Sequence, residues 1–192
     1  MARLRFLFLL FAAQALLVAA MDSARAQPLT SPPQMLSDAG LTSICFVSAD
    51  LGWVVGDRGA IRHTADGGRN WQLQRSPATC RLDTVQFLDA ENGWAVGGWT
   101  HPYPHQTSGI VLRTRDGGKT WQIIPDLTLP ALKVVRFFDH RRGWAAGDGS
   151  SMYPGGVFRT EDGGRTWIPI AKGRTLGWTA ADFRNGDRFE RG

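Results

Sequence analysis

Three carboxylates recur inside one short phrase. Asp66, Asp116 and Asp162 each stand in Thr-x-Asp-Gly-Gly-x-(Thr/Asn)-Trp, at residues 64–71, 114–121 and 160–167. A carboxylate can act as a general acid or base, ligate a hard cation, or accept hydrogen bonds from its own backbone turn. The first two roles require several groups to converge. One Asp per copy, at the same place in each, instead points to separate turns around a rim. The structural reading is therefore favoured. In it the aspartates clasp tight hairpins, and Gly67, Gly68, Gly117, Gly118, Gly163 and Gly164 supply the positive φ those hairpins need. Trp71, Trp121 and Trp167 are then apolar plugs between neighbouring sheets.

The other reactive side chains form no constellation. His101 and His105 have no Cys or carboxylate cluster beside them, so no metal site is assigned. Asp57, Asp126 and Asp148 fall in different copies without a paired Glu. Six of the eight tryptophans occupy equivalent positions (Trp53, Trp94, Trp144, Trp71, Trp121, Trp167), which favours packing over sugar stacking. No catalytic residue and no cofactor is assigned. Cys45 and Cys80 could bridge in an oxidising compartment, but the residues alone leave that pairing open.

The elements that must position these residues follow from the repeat. The copies run over residues 41–71, 82–121 and 132–167, each reading apolar-x-Phe, then Gly-Trp, a short apolar run, and the Asp phrase. Repetition at roughly 40–50 residues signals a solenoid, propeller or array. Period-two alternation at Ile44/Phe46, Val85/Phe87 and Val135/Phe137 marks a first strand. Strands two to four follow, the second opening at Gly-Trp and the fourth at the closing Trp. Four short strands per copy make a sheet too small to bury both faces alone. Face-to-face stacking around an axis gives an all-β fold, a β-propeller of four-stranded antiparallel blades.

The predicted organisation is a secretory signal at residues 1–26, a linker at 27–40 and a partial propeller at 41–192. Its repeats span 41–81, 82–131 and 132–175, and a fourth starts at 176–192. Residues 178–183 align with 132–137, so the first strand of a fourth blade is expected. Propellers typically have four to eight blades. The expectation is a truncated member of a longer family, or several chains closing one ring.

Where copies differ, function is more legible. The loop between strands two and three is minimal in copy one, expands in copy two across Trp99, His101, Tyr103 and His105, and in copy three carries Met152 and Tyr153. Insertions on one face of a repeat protein mark a candidate binding face. Together with Arg81 these residues form the candidate surface for a protein partner.

The N-terminus has Arg3 and Arg5, an apolar run from Phe6 to Ala20, and Ala24-Arg25-Ala26 as a cleavage site. Export to a periplasm, thylakoid lumen or extracellular space is predicted, with no membrane span left after cleavage. Cleavage removes three arginines and one aspartate, lowering the formal charge from +5 to +3. That balance is too small, and too scattered, to indicate nucleic acid.

Phe-x-Asp-x-x-x-Gly-Trp-x-x-Gly followed by Thr-x-Asp-Gly-Gly-x-Thr-Trp resembles the photosystem II stability/assembly factor family, which carries Asp-box (BNR-type) repeats. It is best matched at residues 87–121 and 137–167, and departs at Phe46-Val47-Ser48. The resemblance implies a non-enzymatic propeller that binds a membrane-protein complex or its precursor through an arginine-bearing face, for which Arg81, Arg136, Arg141 and Arg142 are candidates. The rival is an Asp-box glycoside hydrolase of sialidase type, which needs paired carboxyls or a Tyr nucleophile with an arginine cluster.

Overall fold

The computed structural model describes residues 37–102, 106–125, 127–170 and 178–183. The predicted signal segment, residues 27–36 of the linker, Tyr103, His105 and Asp126 lie outside the described residues, as do residues 171–177 and 184–192.

The first sheet holds β1 (Leu41–Phe46), β2 (Gly52–Gly56), β3 (Ile61–Thr64) and β4 (Gln72–Leu73), with a 3-10 turn at Asp57–Gly59. The second holds β5 (Arg81–Phe87), β6 (Gly93–Thr100), β7 (Thr107–Thr114) and β8 (Gln122–Ile123). The third holds β9 (Leu132–Phe137), β10 (Gly143–Gly147), β11 (Val157–Thr160) and β12 (Ile168–Pro169). Each is four-stranded, antiparallel and ordered as in the chain. These are three blades of a β-propeller. Residues 178–183, expected to be the first strand of a fourth, carry no ladder but pack on the third blade through Trp178, Ala181 and Phe183. Among the described residues no helix is long and apolar enough to cross a membrane.

The core lies in the seams between blades. Trp53, Val55 and Ile61 of blade one bury against Leu82, Val85 and Phe87 of blade two. Trp94, Val96 and Val111 of blade two bury against Leu132, Val135 and Phe137 of blade three. The Trp53 indole stacks on Phe87 with centroids 3.5 Å apart, and Trp94 on Phe137 at 3.9 Å. Each Phe also receives the edge of its own blade's closing Trp, Trp121 at 5.7 Å and Trp167 at 6.0 Å. Each leading indole is fully buried, so its Nε1–H must find an acceptor. It finds the backbone of the next blade's hairpin: Trp53 donates to the Gly117 carbonyl and Trp94 to the Gly163 carbonyl, both at 3.0 Å.

Side chains on the first strands add a second clasp. The Gln86 amide donates to the Phe137 carbonyl (2.9 Å) and accepts from the Phe137 N–H (2.6 Å). At the equivalent position in blade one, Cys45 Sγ accepts from the Phe87 N–H at 3.3 Å. The disulfide left open by the sequence is not formed, and Cys45 and Cys80 are both free thiols. Cys45 is turned into the seam, while burial pushes the Cys80 thiol up to about 11. So high a pKa leaves little of the nucleophilic thiolate near neutral pH.

Candidate functional site

The recurring carboxylates do not converge. Each is satisfied within its own hairpin, where both glycines hold positive φ, between 71° and 90°. Asp116 Oδ1 accepts from the Thr114 hydroxyl (2.8 Å) and the Thr120 N–H (2.9 Å), and Oδ2 accepts from the Thr120 hydroxyl (2.6 Å). Asp162 repeats this set with Thr160 and Thr166. At Asp66 the Asn70 amide replaces the threonine hydroxyl, at 2.7 Å. A further bond ties each hairpin to the turn between strands one and two of its own blade: Gly67 N–H to Asp50, Gly117 N–H to Glu91, and Gly163 N–H to Arg141.

These bonds favour the charged carboxylate. The Asn70 backbone N–H, then its side-chain amide, hold Asp66 down at about 2. The Arg142 backbone N–H and guanidinium do the same for Asp139, also at about 2. For Asp116 and Asp162 burial acts upward, but the hydroxyl and N–H donors outweigh it and the net direction is down. A carboxyl whose folded pKa lies below its unfolded one stabilises the fold above the unfolded value and loses that contribution as pH falls through the folded value. The expected outcome is a melting temperature that is flat above roughly pH 5 and falls between about pH 4 and pH 2. Asp116→Asn should flatten part of that fall in a thermal-unfolding series. An unchanged acid limb would show that the hairpin carboxylates do not govern it.

The opposite face carries the loops between strands two and three and the connections between blades. There a cleft of about 850 Å³ opens between blades two and three. One wall is Gln106, Thr107 and Ser108; the other is the turn from Asp148 to Tyr153. Leu127 to Pro130, the connection into blade three, forms its base. Met152 is 69% exposed, whereas Tyr153 meets Phe158 edge-to-face at 5.3 Å and so braces the wall. His101 stands beside the cleft. Its Nε2 lies 2.8 Å from the Ser108 hydroxyl and 3.1 Å from the Trp99 indole N–H.

The candidate arginines separate. Arg81 is on the loop face but ion-paired with Asp83 at 2.9 Å and Asp57 at 3.5 Å. Lys133 reaches the same Asp83 at 3.5 Å, linking blades two and three. Arg136 is exposed on β9. Arg141 and Arg142 sit on the opposite, hairpin face, engaged with the Glu161 carbonyl and the Asp139 carboxylate. Two of the acids weighed for glycoside hydrolysis, Asp57 and Asp148, belong to blades one and three. Among the described residues no group of three or more His, Cys, Asp or Glu is placed to hold a metal.

Trp99, expected in the expanded loop of copy two, is 45% exposed near the end of β6. Sequence reading missed a groove of about 240 Å³ on the rim lined by Arg113, Arg115 and Arg165. There the Arg113 guanidinium lies over the Trp94 ring at 5.1 Å, and its Nε is buried without a partner among the described residues. Burial first, and then the charges of Arg115 and Arg165, lower its pKa. The three arginines occupy three different repeat positions, so aligning the copies gives no sign of their meeting.

A family profile described as "Photosynthesis system II assembly factor YCF48" matches residues 31–172. A solved structure described as "YCF48 bound to D1 peptide" is 28% identical with a TM-score of 0.53, over 68% of this chain and 40% of that one. Another, "YCF48 from Cyanidioschyzon merolae", is 28% identical with a TM-score of 0.51, over 71% of this chain and 38% of that one. The chain therefore matches less than half the length of either structure. No curated protein matches it.

Proposed function

This chain belongs to the photosystem II assembly factor family typified by YCF48, and on that premise we propose that it is a non-enzymatic binding module that holds an extended peptide of a photosystem II protein in the cleft between blades two and three. The observation that carries the reading is the form of that cleft. Its base is the short connection into blade three. One wall continues from a β-edge at Thr107 and Ser108, and the other offers the bare Met152 side chain above a braced Tyr153. Backbone edges with adaptable apolar side chains suit peptide recognition. The similarity to a YCF48 structure described as bound to D1 peptide supports the choice of ligand.

Binding of a labelled set of overlapping D1 peptides, followed by fluorescence anisotropy, tests the assignment. At least one peptide should bind with a Kd in the micromolar range, and Met152→Asp should weaken it about tenfold, or about 1.4 kcal/mol. Met152 is so exposed that this change leaves folding intact. Binding that ignores Met152→Asp would move the peptide elsewhere on the surface.

The same proposal places the protein outside the cytoplasm. The basic start, apolar run and Ala24-Arg25-Ala26 are the features of an export signal. N-terminal sequencing of the protein recovered from an exported fraction should begin at Gln27. A chain that keeps Met1 would overturn export with cleavage.

A further inference from the structure

The cleft between blades two and three carries one charge of its own. Asp148 is the only one of its lining side chains that is charged near neutral pH. His101, beside the cleft, adds no positive charge in this arrangement. An indole N–H can only donate, so the Nε2 that receives the Trp99 N–H is an acceptor and the ring is neutral.

Most other carboxylates are already committed. Asp57 and Asp83 pair with Arg81, and Asp83 also with Lys133. Asp139 pairs with Arg142. Asp66, Asp116 and Asp162 clasp their own hairpins. The Asp148 carboxylate has no such partner among the described residues. Its backbone is nevertheless fixed, because the Asp148 N–H donates to the Ala131 carbonyl at 2.9 Å. The turn beyond it is closed by the Ser150 N–H on the Tyr153 carbonyl (3.1 Å) and by the Tyr153 N–H on the Ser150 hydroxyl (3.0 Å). One wall thus holds a half-buried, unpaired carboxylate and the exposed Met152.

Such a carboxylate attracts cations and repels anions, and partial burial shields the attraction from salt. Resting on the reading of this cleft as a peptide site, we infer that Asp148 selects the peptide. It pairs with a Lys or Arg side chain of the ligand, while Met152 receives an apolar side chain of the same strand. Side chains of an extended strand alternate, so the two groups that meet this wall stand an even number of residues apart. Acidic segments are turned away by the same charge.

The tightest-binding peptide of the overlapping D1 set, and its variants with each Lys or Arg changed in turn to Gln, test the inference by fluorescence anisotropy. That peptide should contain a cation, and one of the Gln changes should weaken it about fivefold. Asp148→Asn should weaken the parent peptide by the same factor and add nothing to that Gln change, as expected of two groups that act on each other. Asp148→Lys should bind the parent peptide worst, and should recover affinity when the same peptide position becomes Glu. The parent pair should weaken as salt rises from about 50 to 500 mM, and the Asp148→Asn pair should weaken less. Circular dichroism of the variants should match the parent, and the peptide changes are read on the unaltered chain whatever the variants do. A tightest peptide without Lys or Arg, or an Asp148→Asn protein that binds it as well as the parent does, would overturn the pairing. If Met152→Asp still weakens that peptide, the cleft remains the peptide site. Binding by no peptide of the set would remove the reading of the cleft, and this inference with it.

Discussion

Trp94→Ala is expected to lower the unfolding free energy by about 3–5 kcal/mol, the range for removing a large buried aromatic. Folded domains hold only about 5–15 kcal/mol in all, so the variant should be unfolded, or nearly so, at physiological temperature. Trp94 is fully buried, stacks on Phe137, carries Arg113 over its ring and latches the third hairpin through Gly163. Deleting it opens a cavity in the second seam and leaves the Gly163 carbonyl without that donor. Trp94→Phe keeps a ring in the stack and loses the indole hydrogen bond and some volume, so a smaller loss of about 1–2 kcal/mol is expected. Trp99→Ala, on an exposed side chain, should shift stability by about 0.5 kcal/mol or less. Urea unfolding of the three variants checks the order. A Trp94→Ala protein as stable as Trp99→Ala would show that the seam is not where the stability resides.

Gly97→Ala should be nearly as damaging, by about 3 kcal/mol or more, although it adds a single methyl group. The register of β5 against β6 slips between Leu82 and Thr84, a bulge at the base of the strand. Gly97 lies opposite, and a Cβ there would fall onto the Arg81 carbonyl and the Leu82 backbone. Backbone cannot rotate away as a side chain can, so β5 would have to move and the bulge would be lost. Gly56 and Gly147 face the Gly40 and Ala131 carbonyls in the same way. The check is the urea midpoint of Gly97→Ala beside the parent, with Gly147→Ala as a replicate of the same geometry in blade three. A parent-like midpoint for both would mean that the bulge yields.

The architecture was legible because identical residues at fixed offsets do identical work. The Phe of the first strand, the Gly-Trp and the Asp phrase each build one part of the seam, so three copies of the phrase announced three blades. The hairpin carboxylates could be read as clasps from their one-per-blade placement. The side-chain clasp between first strands was hidden, because Cys45 and Gln86 perform it with unlike chemistry at one repeat position. Arg81 looked available from composition, but Asp83 two residues on and Asp57 from the neighbouring loop engage it. Antiparallel topology places the turn holding Arg141 and Arg142 on the hairpin face, so they could not share a surface with Arg81. The Arg113, Arg115 and Arg165 groove needs the curvature that joins two blades, which no single repeat encodes.

The second and third hairpins are latched by the preceding blade through a main-chain carbonyl, at Gly117 and Gly163, so the lock does not depend on which side chain follows the two glycines. Positions 69, 119 and 165, occupied by Arg69, Lys119 and Arg165, are exposed on that rim. Evolution can therefore rewrite the rim's electrostatic lettering while the ring's joinery stays constant. Duplicated units inherit the joint intact, which is how such a module multiplies and diversifies without relearning how to fold.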